Sequence, residues 1–113
     1  MSSHNIEQSP GCMQSCLSIL GDKWTALVLR DLTAEPRTFC SLETSLDGIS
    51  PRTLSQRLEK LVKEGIIVKK MYCEHPPRYQ YQLTKKGESL NEVLQKMADW
   101  GARYSTKSHE SIA

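Results

Sequence analysis

A chain of 113 residues, 38% hydrophobic and 25% charged, holds apolar material for one compact domain with a modest core and too little for two. No run approaches the roughly 20 apolar residues of a bilayer span, and the opening MSSHNIEQSPG lacks the basic and apolar regions of a signal peptide, so a cytoplasmic protein without membrane contact is expected. Net charge is only +2, yet Ser50 to Lys86 carries nine cations against three carboxylates, a local +6 that leaves −4 elsewhere; one basic face suits a polyanion.

Residues 1–11 read as a flexible arm, with Pro10 and Gly11 marking the entry to structure. Cys16, Leu17, Ile19 and Leu20 predict a short amphipathic helix from Cys12 to Leu20, stopped at Gly21. Asp22 then caps a second helix through Trp24, Leu27, Val28 and Leu32, with the large Trp24 indole expected in the core. Pro36 interrupts the chain. A third helix, started by Thr38 or Cys40, turns Phe39, Leu42 and Leu46 inward, and Asp47 and Gly48 make a tight turn.

The turn leads into ISPRTLSQRLEKLVKEG, Ile49 to Gly65, the best-marked helix of the chain. Ser50 can cap it, Pro51 fits the first helical position where no N–H is needed, and Gly65 supplies a left-handed stop. Leu54, Leu58, Leu61 and Val62 form an apolar stripe, with Arg52, Gln56, Lys60 and Lys63 opposite. Helix, short glycine turn and second helix with a cationic, amide-rich outer face is the helix-turn-helix arrangement, whose second element enters a DNA major groove. Arg52, Thr53 and Gln56 are then expected to read bases, and Ser50, Ser55, Arg57 and Lys60 to position the helix on phosphates.

After Gly65 the period changes. Ile66 to Tyr72 reads as a strand, Glu74 to Pro77 as a turn, and RYQYQL at Arg78 to Leu83 as the returning strand with Tyr79, Tyr81 and Leu83 on one side. This two-stranded wing places Arg78 where it can meet phosphate or the minor groove. Thr84 caps a last helix to about Tyr104, whose Leu90, Val93, Leu94, Met97, Trp100 and Tyr104 recur at 3–4 spacing. Such a helix extends about 30 Å, beyond the reach of a core this size, so these residues are expected to face a second copy. Residues 105–113 form a polar, flexible tail, leaving 12–104 as the folded domain.

Four stretches, LGDKWTALVLRDL at Leu20 to Leu32, GISPRTLSQRLEKLVKEGII at Gly48 to Ile67, PPRYQYQLTKKG at Pro76 to Gly87 and ADWG at Ala98 to Gly101, together resemble the HxlR-type winged helix-turn-helix transcriptional regulators, relatives of the MarR group. The resemblance implies a mainly α fold with a small β-hairpin wing, a homodimer through the first and last helices, and a recognition helix at Ser50 to Glu64. Many relatives carry a cysteine near the start of the first helix that in some members senses oxidants, quinones or reactive aldehydes. Here the segment is GCMQSC: Cys12 sits one position later than usual and lacks the following proline. Cys12 is the first candidate for such sensing, because a thiol in the first turn meets the positive end of the helix dipole; Cys40, where relatives often have serine, is the second.

The leading expectation is a dimeric, sequence-specific, DNA-binding regulator with double-stranded operator DNA and a second copy as partners, open to control by a small oxidant or electrophile. The alternatives are a winged-helix protein-interaction module, which the basic middle opposes, and a thiol or metal enzyme. The enzyme lacks its parts: there is no C-x-x-C, no H-E-x-x-H and no glycine-rich phosphate loop, and His4, His75 and His109 are scattered. No catalytic residue, metal or cofactor is assigned. Operator, direction of regulation and inducing signal are not written in the chain.

Overall fold

The computed structural model describes residues 12–104, so the expected arm 1–11 and tail 105–113 lie outside the described residues. Five helices and one hairpin follow in order: α1 (12–20), α2 (Lys23–Ala34), α3 (Phe39–Ser45), α4 (Pro51–Lys63), β1 (Ile67–Glu74), β2 (Pro77–Leu83) and α5 (Lys85–Tyr104). This is the mainly α winged helix-turn-helix expected.

Local chemistry sets the helix starts. The Thr25 N–H donates to Asp22 Oδ1 at 3.0 Å, the Ser41 N–H to Thr38 Oγ1 at 3.0 Å and the Thr53 N–H to Ser50 Oγ at 3.0 Å. Each cap satisfies a donor that the first turn leaves without a helical partner. Thr38, not Cys40, therefore begins α3. Gly48 (φ 93°) and Gly65 (φ 77°) take the left-handed conformations that close α3 and α4, where a side chain would be strained.

The core is one cluster beneath the helix-turn-helix. Val28, Leu29 and Leu32 of α2, Leu42 of α3, and Leu54, Leu58 and Leu61 of α4 are buried, closed below by Ile66 and Ile67. Each fully buried leucine contributes about 1.5–3 kcal/mol of transfer free energy. Two departures follow from geometry. Val62 is 41% exposed, because it lies about 100° round the helix from Leu61. Leu17 of α1 is exposed, while Ile19, Leu20 and a half-buried Trp24 pack on the core.

Asp31 is buried, 8% exposed, and accepts a 2.6 Å hydrogen bond from the Ser45 hydroxyl. It ties the end of α3 to α2 and so fixes the first arm of the helix-turn-helix. The wing pairs antiparallel from Ile67↔Leu83 to Glu74↔Pro77, with an irregularity between Met71 and Cys73. Arg37 adds a one-residue third strand: its N–H donates to the Tyr81 carbonyl at 3.0 Å, and the Tyr81 N–H donates back at 2.7 Å. Tyr81 and Leu83 pack on the core as expected, but Tyr79 is exposed, since strict alternation marks a face and not how far the core reaches along it.

Candidate nucleic-acid interface

Helix α4 is held by its buried face, one flank and its C-terminal end, leaving its crest and the other flank open. Its leucines are buried, and Lys86 of α5 donates to the Glu64 carbonyl at 2.6 Å, closing the helix C-terminus. On one flank Arg57 Nε lies 3.2 Å from Asp22 Oδ2, and Lys60 Nζ donates to the Ser18 carbonyl. These contacts tie the helix to the α1–α2 junction.

Asp22 is the hub of that flank. It caps α2 through the Thr25 N–H, accepts the Thr25 hydroxyl at 3.0 Å and pairs with Arg57. Partial burial pushes its carboxyl pKa up, but the two Thr25 hydrogen bonds and the Arg57 guanidinium more than offset this and hold it below the usual value.

The residues expected on DNA now separate. Arg52, Ser55 and Gln56 are exposed on α4, with Lys63 continuing the outward row at helical spacing. The Ser50 hydroxyl donates to Thr53 Oγ1 at 2.9 Å and accepts the Thr53 N–H as the cap, and Thr53 is half-buried at the helix start. Arg57 is half-buried and Lys60 is committed to a carbonyl, so both reach the flank rather than the crest. Arg78 stands exposed on the wing, across a groove from Lys63, with Lys69 beside it. Sequence reading missed the pairing of Asp22 with Arg57, the buried Asp31 that holds Ser45, and the Lys86 contact that closes α4. Cap spacing does give the capping role of Asp22, as expected, but no local pattern encodes its contact with Arg57, 35 residues further on.

The other expected residues sit elsewhere. Leu90 and Leu94 pack against the chain's own core, whereas Val93, Met97, Trp100 and Tyr104 share an exposed stripe of α5, with Trp100 and Tyr104 rings 5.2 Å apart. Cys12 is exposed at the first residue of α1, and Cys40 is exposed in the first turn of α3; Cys16 and Cys73 are half-buried. All four are free thiols. Among the described residues no helix is long and apolar enough to cross a membrane, and no cluster of three or more His, Cys, Asp or Glu side chains has the arrangement of a metal site.

Comparison with known proteins agrees with this architecture. The model of the HxlR-like helix-turn-helix matches residues 19–109. The uncharacterised HTH-type transcriptional regulator YkvN of Bacillus subtilis is 34% identical over 91 residues, covering 80% of this chain and 77% of its own. Among solved structures, a protein described as a MarR-family transcriptional regulator from Enterococcus faecalis superposes with a TM-score of 0.79 at 29% identity, over 89% of this chain and 92% of that one. The transcriptional regulator YodB of Bacillus subtilis in its reduced form gives 0.75 at 31% identity, over 83% and 92%, and its diamide-treated form 0.71 at 32%, over 81% and 91%.

Proposed function

The chain belongs to the HxlR-like helix-turn-helix family of DNA-binding transcriptional regulators, and on that premise we propose that it acts as a homodimer that reads a specific operator with α4 of each copy. The observation that carries this reading is the outward row Arg52, Gln56 and Lys63 on a helix whose opposite face is buried. Arg and Gln are suited to the acceptor and donor patterns of base edges, and Lys63 with Arg78 of the wing to phosphates. Recognition of two half-sites by two copies fits the exposed apolar stripe of α5, since a run of large apolar side chains facing solvent marks an interaction surface. Operator DNA as partner places the work in the cytoplasm.

Two substitutions test the division of labour. Gln56→Ala costs about 1–3 kcal/mol on the operator and relaxes preference at one base pair, whereas Arg78→Ala weakens all sequences alike and lowers the salt slope by about one. In a fluorescence-anisotropy titration, an equal loss on operator and random DNA for Gln56→Ala, or a loss confined to the operator for Arg78→Ala, would remove the assignment.

Thiol control is the finer part of the proposal. Cys12 heads α1, exposed and at the positive end of that helix, and YodB is a regulator described both reduced and after diamide treatment. Oxidation or alkylation at Cys12, with Cys40 as second candidate, shifts the packing of the two copies and the spacing of their recognition helices. A Cys12→Ser variant whose operator affinity still responded to diamide, quinone or aldehyde like the parent would end this part of the reading.

A further inference from the structure

The two flanks of α4 are not alike in charge. A helix seated in a major groove has a phosphate strand along each flank. On the wing side Lys69 and Arg78 stand exposed. On the side of the α1–α2 junction the cations already have partners: Lys60 donates to the Ser18 carbonyl, and Arg57 Nε lies 3.2 Å from Asp22 Oδ2. Arg57 stands about 100° round the helix from Gln56 on the crest, where a long side chain reaches the backbone of a duplex but not its bases.

Each half of the Asp22–Arg57 pair is free to exchange. Arg57 Nε is buried and makes no aligned hydrogen bond, so charge alone holds it to the carboxylate. Asp22 does not need the guanidinium: Oδ1 accepts the Thr25 N–H and Oδ2 the Thr25 hydroxyl, each at 3.0 Å, and both bonds remain when Arg57 leaves. The two side chains are 29% and 39% exposed, open enough for a phosphate to approach. A phosphate offers the guanidinium charge and a matched fork of hydrogen bonds together, which Asp22 does not.

We propose that Asp22 competes with the DNA backbone for Arg57 and so acts as a brake on duplex affinity. The phosphate strand on the α1 side draws Arg57 away from Asp22, and the cost of parting the pair is subtracted from binding. Phosphates carry no sequence, so the brake acts on random and operator DNA alike and keeps the sequence-independent share of the affinity low. This rests on the reading of α4 as the helix that enters the groove.

The test is a set of fluorescence-anisotropy titrations of the full chain on a random duplex across a range of salt concentrations. Asp22→Asn removes the charge and keeps the α2 cap, since Asn caps as well as Asp; Asp22→Ser, also a good cap, replaces it if the melting temperature falls. The variant is expected to bind about three- to tenfold tighter at low salt, with a salt slope steeper by about 0.9 for one added phosphate contact. In an Arg57→Gln background the same change loses most of that gain, because the two residues act as one unit. Binding by the charge-neutral variant that is unchanged or weaker overturns the brake while the parent still binds DNA. A full gain retained in the Arg57→Gln background overturns it too, since the carboxylate would then act on phosphate by its own charge. A parent that ignores every duplex overturns the regulator reading and the brake together.

Discussion

Asp22 illustrates how much one side chain near the interface controls. Its folded pKa lies below the ordinary value of 3.8, so its charge adds stability above that pH and loses it as the pH falls toward the folded value. Asp22→Ala is expected to cost about 1 kcal/mol at pH 7 by loss of the α2 cap, together with loosening of Arg57. The gap between parent and variant narrows below about pH 4 as the parent's carboxyl takes up its proton. Urea melts at pH 7 and pH 3 check this, and a pH-independent gap contradicts it. The capping half of this role is local and legible in the sequence, because Asp22 stands directly before a periodic apolar run. The Arg57 half is not, since a guanidinium on one amphipathic helix reads the same whether it meets phosphate or a carboxylate from another element. Lys60 is alike in this: its ammonium donates to the Ser18 carbonyl, a contact that no sequence spacing announces.

Elements were more readable than contacts between them. Ser50, Pro51 and Gly65 bound α4 by rules that need only neighbours in sequence, and the change from period 3.6 to period 2 after Gly65 announces the wing. The Arg37 bridge to Tyr81 and the Lys86 cap on α4 carry no such period, and Tyr79 shows that alternation cannot tell where a strand leaves the core. The sequence placed Gly87 just inside the last helix without a reason; packing supplies one. A Cβ there would stand 2.1 Å from the Ile66 carbonyl oxygen and 3.1 Å from Leu83 Cδ2, so α5 crosses the wing root only where the side chain is absent. Thr84 fixes the same crossing, its hydroxyl 2.6 Å from the Gly65 carbonyl and accepting the Gly87 N–H at 3.1 Å. Gly87→Ala therefore destabilises by about 1–3 kcal/mol or more, with the damage at the wing–α5 junction. Thermal unfolding measures the loss, and an unchanged midpoint contradicts the packing.

At the scale of the whole molecule two surfaces stand out, the crest of α4 with the wing and the exposed stripe of α5; the proposal assigns the first to DNA and the second to another copy of the chain. A 20-residue α5 extends about 30 Å. Its first half packs through Leu90 and Leu94, while the second presents Met97, Trp100 and Tyr104 outward, with Trp100 and Tyr104 each 62% exposed. The sequence located this stripe but did not divide it, because the division depends on where the neighbouring body ends. Trp100→Asp puts a charge on that stripe and is expected to raise the dimer dissociation constant by tenfold or more, about 1.4 kcal/mol, without lowering the monomer's melting temperature. Sedimentation equilibrium checks it, and an unchanged dissociation constant places the interface elsewhere. The most direct test of the account is hydroxyl-radical footprinting of genomic duplexes selected by the protein. Two protected half-sites whose centres lie about 10 base pairs or a multiple apart, both lost in a Trp100→Asp variant, are predicted; a single protected patch indifferent to that substitution would contradict a pair of α4 helices seated in adjacent grooves.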